Sequence, residues 1–168
     1  MKKYFYSGLI FLLCSPVLAQ QSKKHAEVMK PIETLFRAME TGDSALLGSA
    51  FYKKVTLSTV VLDGSLELKN LLFEDDLSSF KRAVAAVKKE PYREPIYEIE
   101  IQREGIFAQV WARYSFYIGS AFHHCGIDAF QLVNTEAGWK IFSLTDTRQV
   151  NGCVVPEWVR RKYEGAKP

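Results

Sequence analysis

The sequence has no apolar run long enough to cross a membrane. A transmembrane helix needs roughly 20 consecutive apolar residues, whereas the apolar run near the N-terminus spans only Leu9–Leu13. Basic and acidic residues nearly balance, at 22 and 19, so the concentrated positive field of a nucleic-acid-binding protein is missing. We therefore expect neither stable membrane insertion of the mature chain nor binding of nucleic acid.

Several motifs that carry catalytic chemistry are also missing. The sequence has no Gly-x-Ser-x-Gly nucleophile elbow, no Gly-rich phosphate loop and no HxH, HExxH or CxxC spacing. Neighbouring His123 and His124 are expected on opposite faces of a strand, where they cannot chelate one metal. For the same reason, the neighbours His124 and Cys125 are expected to point to opposite faces and cannot form a nucleophilic dyad. We therefore predict no metal site and no cofactor.

The first nineteen residues have the pattern of a secretory signal peptide. Lys2 and Lys3 precede the short apolar run, and small or modest residues lead up to Ala19. We predict cleavage after Ala19 and a periplasmic or secreted protein. A retained anchor is less favoured because the apolar run is short. A lipoprotein is less favoured because Leu13 precedes Cys14, where a small residue is needed.

Cleavage would leave two cysteines, Cys125 and Cys153, in a compartment that permits disulfides. An even number favours a bridge, but two buried free thiols are an equal alternative. A straight strand would carry Cys153 too far from Cys125 for a bond. The bridge therefore requires the chain to turn back after Val150, and Asn151-Gly152 suits such a turn.

We divide the chain into residues 1–19 (signal peptide), 20–27 (flexible), 28–153 (one domain) and 154–168 (a tail packed through Trp158). Helical spacing of apolar residues from Val28 predicts a helix that begins near Pro31 and ends at Thr41-Gly42. Asp43 is a suitable N-cap for a second, short helix that ends near Ala50. Leu77, Phe80, Val84 and Val87 indicate a later helix.

Extended, β-branched and aromatic runs fill the remainder of the chain. Asp63-Gly64 separates two of them as a hairpin turn, and further turns containing glycine separate the later ones. Because the predicted helices lie mostly in the first part of the sequence and the antiparallel strands in the last part, the sequence predicts the α+β class. The predicted strands are residues 54–62, 65–72, 96–103, 106–118, 122–133 and 139–150.

Three segments resemble the nuclear-transport-factor-2-like superfamily, in its SnoaL-like and lumazine-binding-like branches. They are Ile32–Asp43 (IETLFRAMETGD), Cys125–Val133 (CGIDAFQLV) and Gly138–Ile141 (GWKI). The resemblance implies a cystatin-like cone, in which a strongly curved, mainly antiparallel sheet wraps around N-terminal helices and opens on an apolar pocket. Because such proteins include isomerases, dehydratases and non-catalytic domains, the resemblance implies a fold and not a reaction.

Pairing of the last strands determines which residues face the expected pocket. A three-residue turn centred near Glu136 places Asp146 opposite Gly126. A similar turn at residues 119–121 places Tyr114 opposite Gly126 as well. A change of one residue in either turn would reverse the faces of one strand.

In that pairing, Arg148 lies opposite His124, and a few polar groups converge in an apolar wall, as in a small-molecule site. Asp146 and Arg148 can also be read as a purely structural ion pair. The predicted face holds the polar candidates Tyr114, His124, Asp128, Asp146 and Arg148 among Phe116, Phe122, Phe130, Phe142 and Leu144.

Three functions remain open. The first is an exported domain that binds a small apolar or aromatic molecule. The second is a cofactor-free lyase or isomerase that uses the same pocket. The third is a dimerisation or interaction domain, because Phe107, Trp111 and Tyr117 give the strand 106–118 an apolar outer face as well. We expect a homodimer that covers this outer face.

Overall fold

A computed structural model of the chain describes residues 16–86 and 90–164. The predicted signal peptide falls mostly on residues 1–15, outside this range, as does Val87 of the predicted third helix. Within the described residues, no helix combines the length and apolar character needed to cross a membrane. The elements are α1 Pro16–Thr41, α2 Ser44–Ala50, β1 Phe51–Leu62, β2 Leu68–Glu74, α3 Ser78–Ala85, β3 Tyr92–Arg93, β4 Ile96–Glu104, β5 Phe107–Ile118, β6 Ala121–Thr135, β7 Gly138–Arg148 and α4 Glu157–Tyr163.

The seven strands form one curved, unclosed sheet in the order β2-β1-β7-β6-β5-β3, with β4 also paired to β5. All pairings are antiparallel except that between β1 and β7, which is parallel. The N-terminal helices cover the inner face of the sheet. This arrangement confirms the predicted α+β class and the cystatin-like architecture.

Helix α1 is longer than the sequence predicted. It begins at Pro16, not near Pro31, and therefore includes residues 20–27, which were expected to be flexible. Pro31 lies inside the helix and removes one backbone donor. Val28 and Ile32, on either side of it, are fully buried, so packing against the sheet compensates for that loss.

Asp43 caps α2 as predicted. Its carboxylate accepts hydrogen bonds from the backbone N–H groups of Ala45 (3.0 Å) and Leu46 (2.8 Å). These bonds satisfy two of the donors that the start of a helix leaves without partners. The short helix buries Leu47 and Ala50 and leads directly into β1.

The main core lies between α1 and the inner face of the sheet. Ile32 and Leu35 of α1 are almost completely buried, as are Phe130 and Leu132 of β6. The ring of Phe36 meets that of Phe130 edge to face, with 6.3 Å between centroids. Burial of these side chains supplies most of the apolar stabilisation of the fold.

A second, smaller core lies on the outer face. Val155 and Val159, from the tail, pack with Tyr97 and Tyr117 of the sheet. The prediction that Trp158 packs the tail onto the body is wrong, since Trp158 is 53% exposed. Val155 lies in the extended segment before α4, and Val159 is the buried residue of α4, so the tail contacts the sheet through these two valines and not through Trp158.

A disulfide joins Cys125 on the outer face of β6 to Cys153 in the tail, with 5.9 Å between the Cα atoms. Gln149, not Thr147, is the residue opposite Cys125. The chain then turns back through Gly152, whose positive φ of 72° glycine tolerates without strain. The bond fixes the start of the tail over the end of the sheet.

Two β-bulges set the strand register. The β5–β6 turn contains two residues, 119 and 120, and an extra residue at His123 then shifts the pairing by one. The β6–β7 turn contains residues 136 and 137, and an extra residue at Phe142 does the same. Tyr114 therefore lies opposite Gly126 as predicted. The predicted pairing of Asp146 with Gly126 is wrong.

The residue opposite Asp146 is Asp128. This register differs from the predicted one by two residues, so even-numbered residues beyond the bulges still face inward. Near the turns the faces are reversed. Phe122 packs in the outer core and Phe142 contacts the outer residue Phe107, so neither lines the inner face as predicted.

Candidate functional site

Three carboxyl groups converge at one end of the inner face, and we call them the carboxyl cluster: Glu94, Asp128 and Asp146. Asp128 and Asp146 are direct neighbours across the β6–β7 pair. Asp128 is only 2% exposed. Glu94 comes from the short connection between β3 and β4, and it interacts with both other carboxyls.

Glu94 and Asp128 lie against each other as a carboxyl pair, and the pKa of each is raised. Burial is the main cause that raises the pKa of Glu94 to about 8, and the negative charge of Asp146 adds to it. Burial and then the charge of Glu94 raise the pKa of Asp128 well above its usual range. Asp128 Oδ2 has no ordinary donor within reach, so the contact between the carboxyls requires a proton.

The third carboxyl, Asp146, has conventional partners. Its Oδ1 accepts a hydrogen bond from Thr59 Oγ1 at 2.6 Å, and its Oδ2 accepts one from Arg148 Nε at 2.6 Å. Burial would lower the pKa of Arg148, but the attraction of Asp146 outweighs it and the pKa is raised. Asp146 and Arg148 therefore form an ion pair.

Tyr114 lies next to the carboxyl cluster. It is 1% exposed, and its hydroxyl donates a hydrogen bond to the backbone oxygen of Thr147 at 2.8 Å. Burial, followed by the charge of Glu94, raises its pKa. Gly126 leaves room for this ring, since a Cβ there would collide with Thr147 O and Tyr114 Cε1. The hydroxyl is thus committed to the backbone.

The bulge at His123 overturns the prediction that the two histidines point apart. Their Nδ1 atoms lie 2.8 Å apart, so one ring donates and the other accepts. Burial, with the charges of Arg148 and His123, lowers the pKa of His124 to about 3. In the described part of the chain, no three His, Cys, Asp or Glu side chains are grouped as metal ligands.

Aromatic rings border the carboxyl cluster. The ring of Phe116 lies 4.8 Å from that of His124 and 5.2 Å from that of Tyr92. The ring of Tyr114 lies 5.5 Å from that of His124 on the other side. The rings of Tyr92, Tyr114 and Phe116 are therefore grouped with His124 at this end of the sheet.

Two cavities in the described structure lie away from this cluster. One, of about 420 Å³, lies at the opposite end of the sheet, where Trp139 and Lys140 meet α1. The other, of about 470 Å³, lies on the outer face beside Trp111. Beside the carboxyl cluster, the side chain of Arg148 is 50% exposed and that of Asp146 is 15% exposed.

All five predicted polar residues lie at this end of the sheet, but the sequence analysis missed Glu94. Glu94 lies two residues before Ile96, the residue opposite Tyr114. Residues two apart on an extended chain point to the same face. Registering β4 against β5 would therefore have pointed to Glu94 as a neighbour of the site.

The architecture described above is that of an NTF2-like, cystatin-like domain. More specifically, residues 23–145 match the family described as "Putative lumazine-binding". The chain belongs to this family, as the resemblance read from the sequence implied. Among curated proteins, none matches the chain.

Solved structures share the fold at low sequence identity. An NTF2-like protein with a cystatin-like fold from Novosphingobium aromaticivorans is 12% identical, with a TM-score of 0.64 over 88% of this chain and 95% of that one. A protein of unknown function from Mycobacterium tuberculosis is 12% identical, with a TM-score of 0.65 over 88% of both chains. A protein from Streptomyces avermitilis, described as a "putative dehydratase" of the NTF2-like family, is 16% identical, with a TM-score of 0.61 over 77% and 99%.

Proposed function

We propose that the protein is a small-molecule-binding domain whose ligand is held at the carboxyl cluster. The observation that carries this proposal is the Glu94–Asp128 pair, in which Asp128 is buried and Glu94 is largely covered. Two carboxyls that face each other without a basic partner of their own cost stability. A residue pair that only supported the core would be replaced without loss by apolar side chains, so a role in binding explains why the pair is present.

The chemistry of the site indicates the kind of ligand. The protonated member of the pair donates its proton to the other carboxyl, and the remaining oxygen lone pairs of both can accept hydrogen bonds. Phe116 and Tyr92, whose rings contact each other at the same end of the sheet, offer flat apolar surface. A small apolar or aromatic molecule that carries a hydrogen-bond donor would satisfy both features.

Native mass spectrometry of protein recovered from its own compartment tests this proposal. Wild-type protein should retain a small molecule. Glu94→Gln and Asp128→Asn, which keep the shape of each side chain, should release it. Glu136→Gln, in the exposed β6–β7 turn, is the matched control and should retain it.

Stability separates a binding role from a structural one. If the carboxyl pair serves binding, Asp128→Asn should keep or raise the melting temperature at neutral pH, because it removes a buried acid. A melting temperature lower by many degrees in both variants, with the ligand still retained, would show that the pair supports the core and would contradict the proposal.

A cofactor-free lyase or isomerase is the second candidate function, and the raised pKa of Glu94, about 8, favours it. A carboxyl that remains protonated near neutral pH can act as a general acid. Such an enzyme should show a kcat/KM that falls as the pH rises through about 8, and Glu94→Gln should abolish turnover. Tyr114 does not act as the acid, because its hydroxyl already donates to Thr147 O.

We also propose that the chain is exported, and the Cys125–Cys153 disulfide supports this proposal because such bonds persist in oxidising compartments. Intact-mass measurement of exported protein should give a chain that begins at Gln20. A mass that includes residues 1–19, or an added lipid, would contradict it.

The proposed homodimer has less support than the sequence suggested. Of the three apolar residues expected to need a partner subunit, Tyr117 is covered by the tail of its own chain. Phe107 (41%) and Trp111 (51%) remain exposed.

A further inference from the structure

The outer face of the sheet carries a groove of about 470 Å³ that is unrelated to the carboxyl cluster. Its position follows from the register. Trp111 of β5 lies opposite Glu100 of β4 on one side and Ala129 of β6 on the other, and Ala129 lies opposite Thr145 of β7. A large flat ring thus stands beside a very small side chain, and this difference in size leaves the space that forms the groove.

The adjacent row of outward-facing side chains, two residues along the same strands, consists of neutral polar groups. Gln102, Gln109, Gln131 and Ser143 lie opposite one another across the same four strands. Gln109 Nε2 donates to Gln102 Oε1 at 2.7 Å, which aligns these two amides. Each amide both donates and accepts hydrogen bonds. Neighbouring strands are about 4.8 Å apart, so the row is about 14 Å long.

The groove is unsuited to an ionic ligand, because Glu100 is the one charged side chain among the described residues that line it. It also differs from the usual core of a protein interface. A second copy of this chain would bury several glutamine amides against an identical surface, and each amide left without a partner would cost free energy. An exposed indole beside paired amides instead matches a ligand with one apolar face and many hydroxyl groups.

We propose that this groove binds a neutral saccharide. The face of the Trp111 ring carries partial negative charge and attracts the weakly positive C–H groups on one face of a pyranose ring. The hydroxyl groups at the edge of that ring, which donate and accept, hydrogen-bond to Gln109 and Gln131. Because the row of polar residues crosses four strands, the site takes an oligosaccharide and not a single sugar.

Isothermal titration calorimetry of the full protein tests the proposal, with neutral hexasaccharides of the cellulose, amylose, chitin and mannan types as the probes. At least one should bind with saturable heat. Trp111→Ala should weaken that binding at least about tenfold, and Gln131→Leu should weaken it as well. The matched control is Trp158→Ala. Trp158 is equally exposed, at 53% against 51% for Trp111, but lies on α4, so binding should change less than about twofold.

Two results would overturn the proposal. The first comes from the titrations: either none of the four sugars gives binding heat at millimolar concentration, or Trp111→Ala and Trp158→Ala weaken binding equally. The second comes from sedimentation velocity. A wild-type dimer that dissociates in Trp111→Ala and gives no heat with sugar would show that a second copy covers the groove. Trp111→Phe, which keeps a ring, should retain part of the binding, and a cooperative thermal melt of each variant shows that it is folded.

Discussion

The two faces of the sheet are covered in different ways. On the inner face, α1 and α2 bury a large apolar core, in which Ile32 and Leu35 join buried residues from several strands. On the outer face, the cover is the segment after β7 that ends in the short helix α4, with Val155 and Val159 as buried apolar contacts and a disulfide at Cys153. The inner cover is stable through its own packing, whereas the outer cover depends on a covalent bond.

The same comparison explains where unfavourable groups are tolerated. Burial of the Glu94–Asp128 pair costs free energy, and it occurs on the inner face, where the core has apolar area to offset that cost. The outer face carries no buried acid pair among the described residues and leaves Trp111 exposed. The inner face therefore stabilises the whole domain, whereas the outer face orders only the tail that packs on it.

The largest effect should come from truncating a ring of the inner core. Phe130→Ala should lower the free energy of unfolding by about 3–5 kcal/mol, because it removes a fully buried ring and leaves a cavity. Phe122→Ala, on the same strand but in the outer core, should cost about 1–2 kcal/mol, since that ring is only partly buried. Urea denaturation of both variants gives the comparison. Equal losses would show that the two cores contribute alike.

Loss of the disulfide should have the next largest effect. The bond closes a loop of 28 residues, so the variant Cys125→Ala/Cys153→Ala should be less stable by about 3–4 kcal/mol in the chain-entropy account. Hydrogen exchange should then rise in residues 153–163 and remain slow in α1. Increased exchange throughout the inner core would mean that the two covers are not independent.

The carboxyl cluster should make stability depend on pH. The pKa of Glu94 rises from 4.5 to about 8 on folding, so the native state binds more protons than the unfolded state in this interval. The free energy of unfolding should therefore fall, by at least about 1 kcal/mol, as the pH rises through this range.

His124 acts in the opposite sense. Its pKa is lowered from 6.5 to about 3, so its contribution to stability is lost as the pH falls below 6.5. Measurement between pH 6.5 and 8 isolates the carboxyls. Glu94→Gln/Asp128→Asn should flatten the curve there, and Glu136→Gln should leave it unchanged. A wild-type curve that is flat across the interval would mean that the pair carries no extra proton.

The smallest effect is expected on the outer surface of α4. Glu157 and Arg161 form an ion pair at 3.3 Å, but both side chains are about 70% exposed. Glu157→Gln should therefore change stability by less than about 0.5 kcal/mol. Thermal melts in low and high salt provide the check. A larger loss would show that α4 contributes more to the outer cover than its buried valines indicate.

The sequence by itself determined the elements whose cause is local. Asp43 caps α2 through its own neighbours, and alternating apolar residues with glycine turns define the long strands. The motifs beginning at Ile32 and Gly138 indicated the superfamily, and all five polar residues proposed from the sequence lie at one end of the sheet. In each case the signal lies within a few residues of the feature it predicts.

Only the tertiary structure decided the features that depend on distant contacts. The bulges at His123 and Phe142 shift the register by one residue each, and no local pattern marked them. They bring the two histidines together and place Asp128 beside Asp146. Glu94 joins the site through the pairing of β4 with β5, and the tail packs through Val155 and Val159 instead of Trp158. A site assembled from separate strands depends on register, and a shift of one residue exchanges the two faces of a strand.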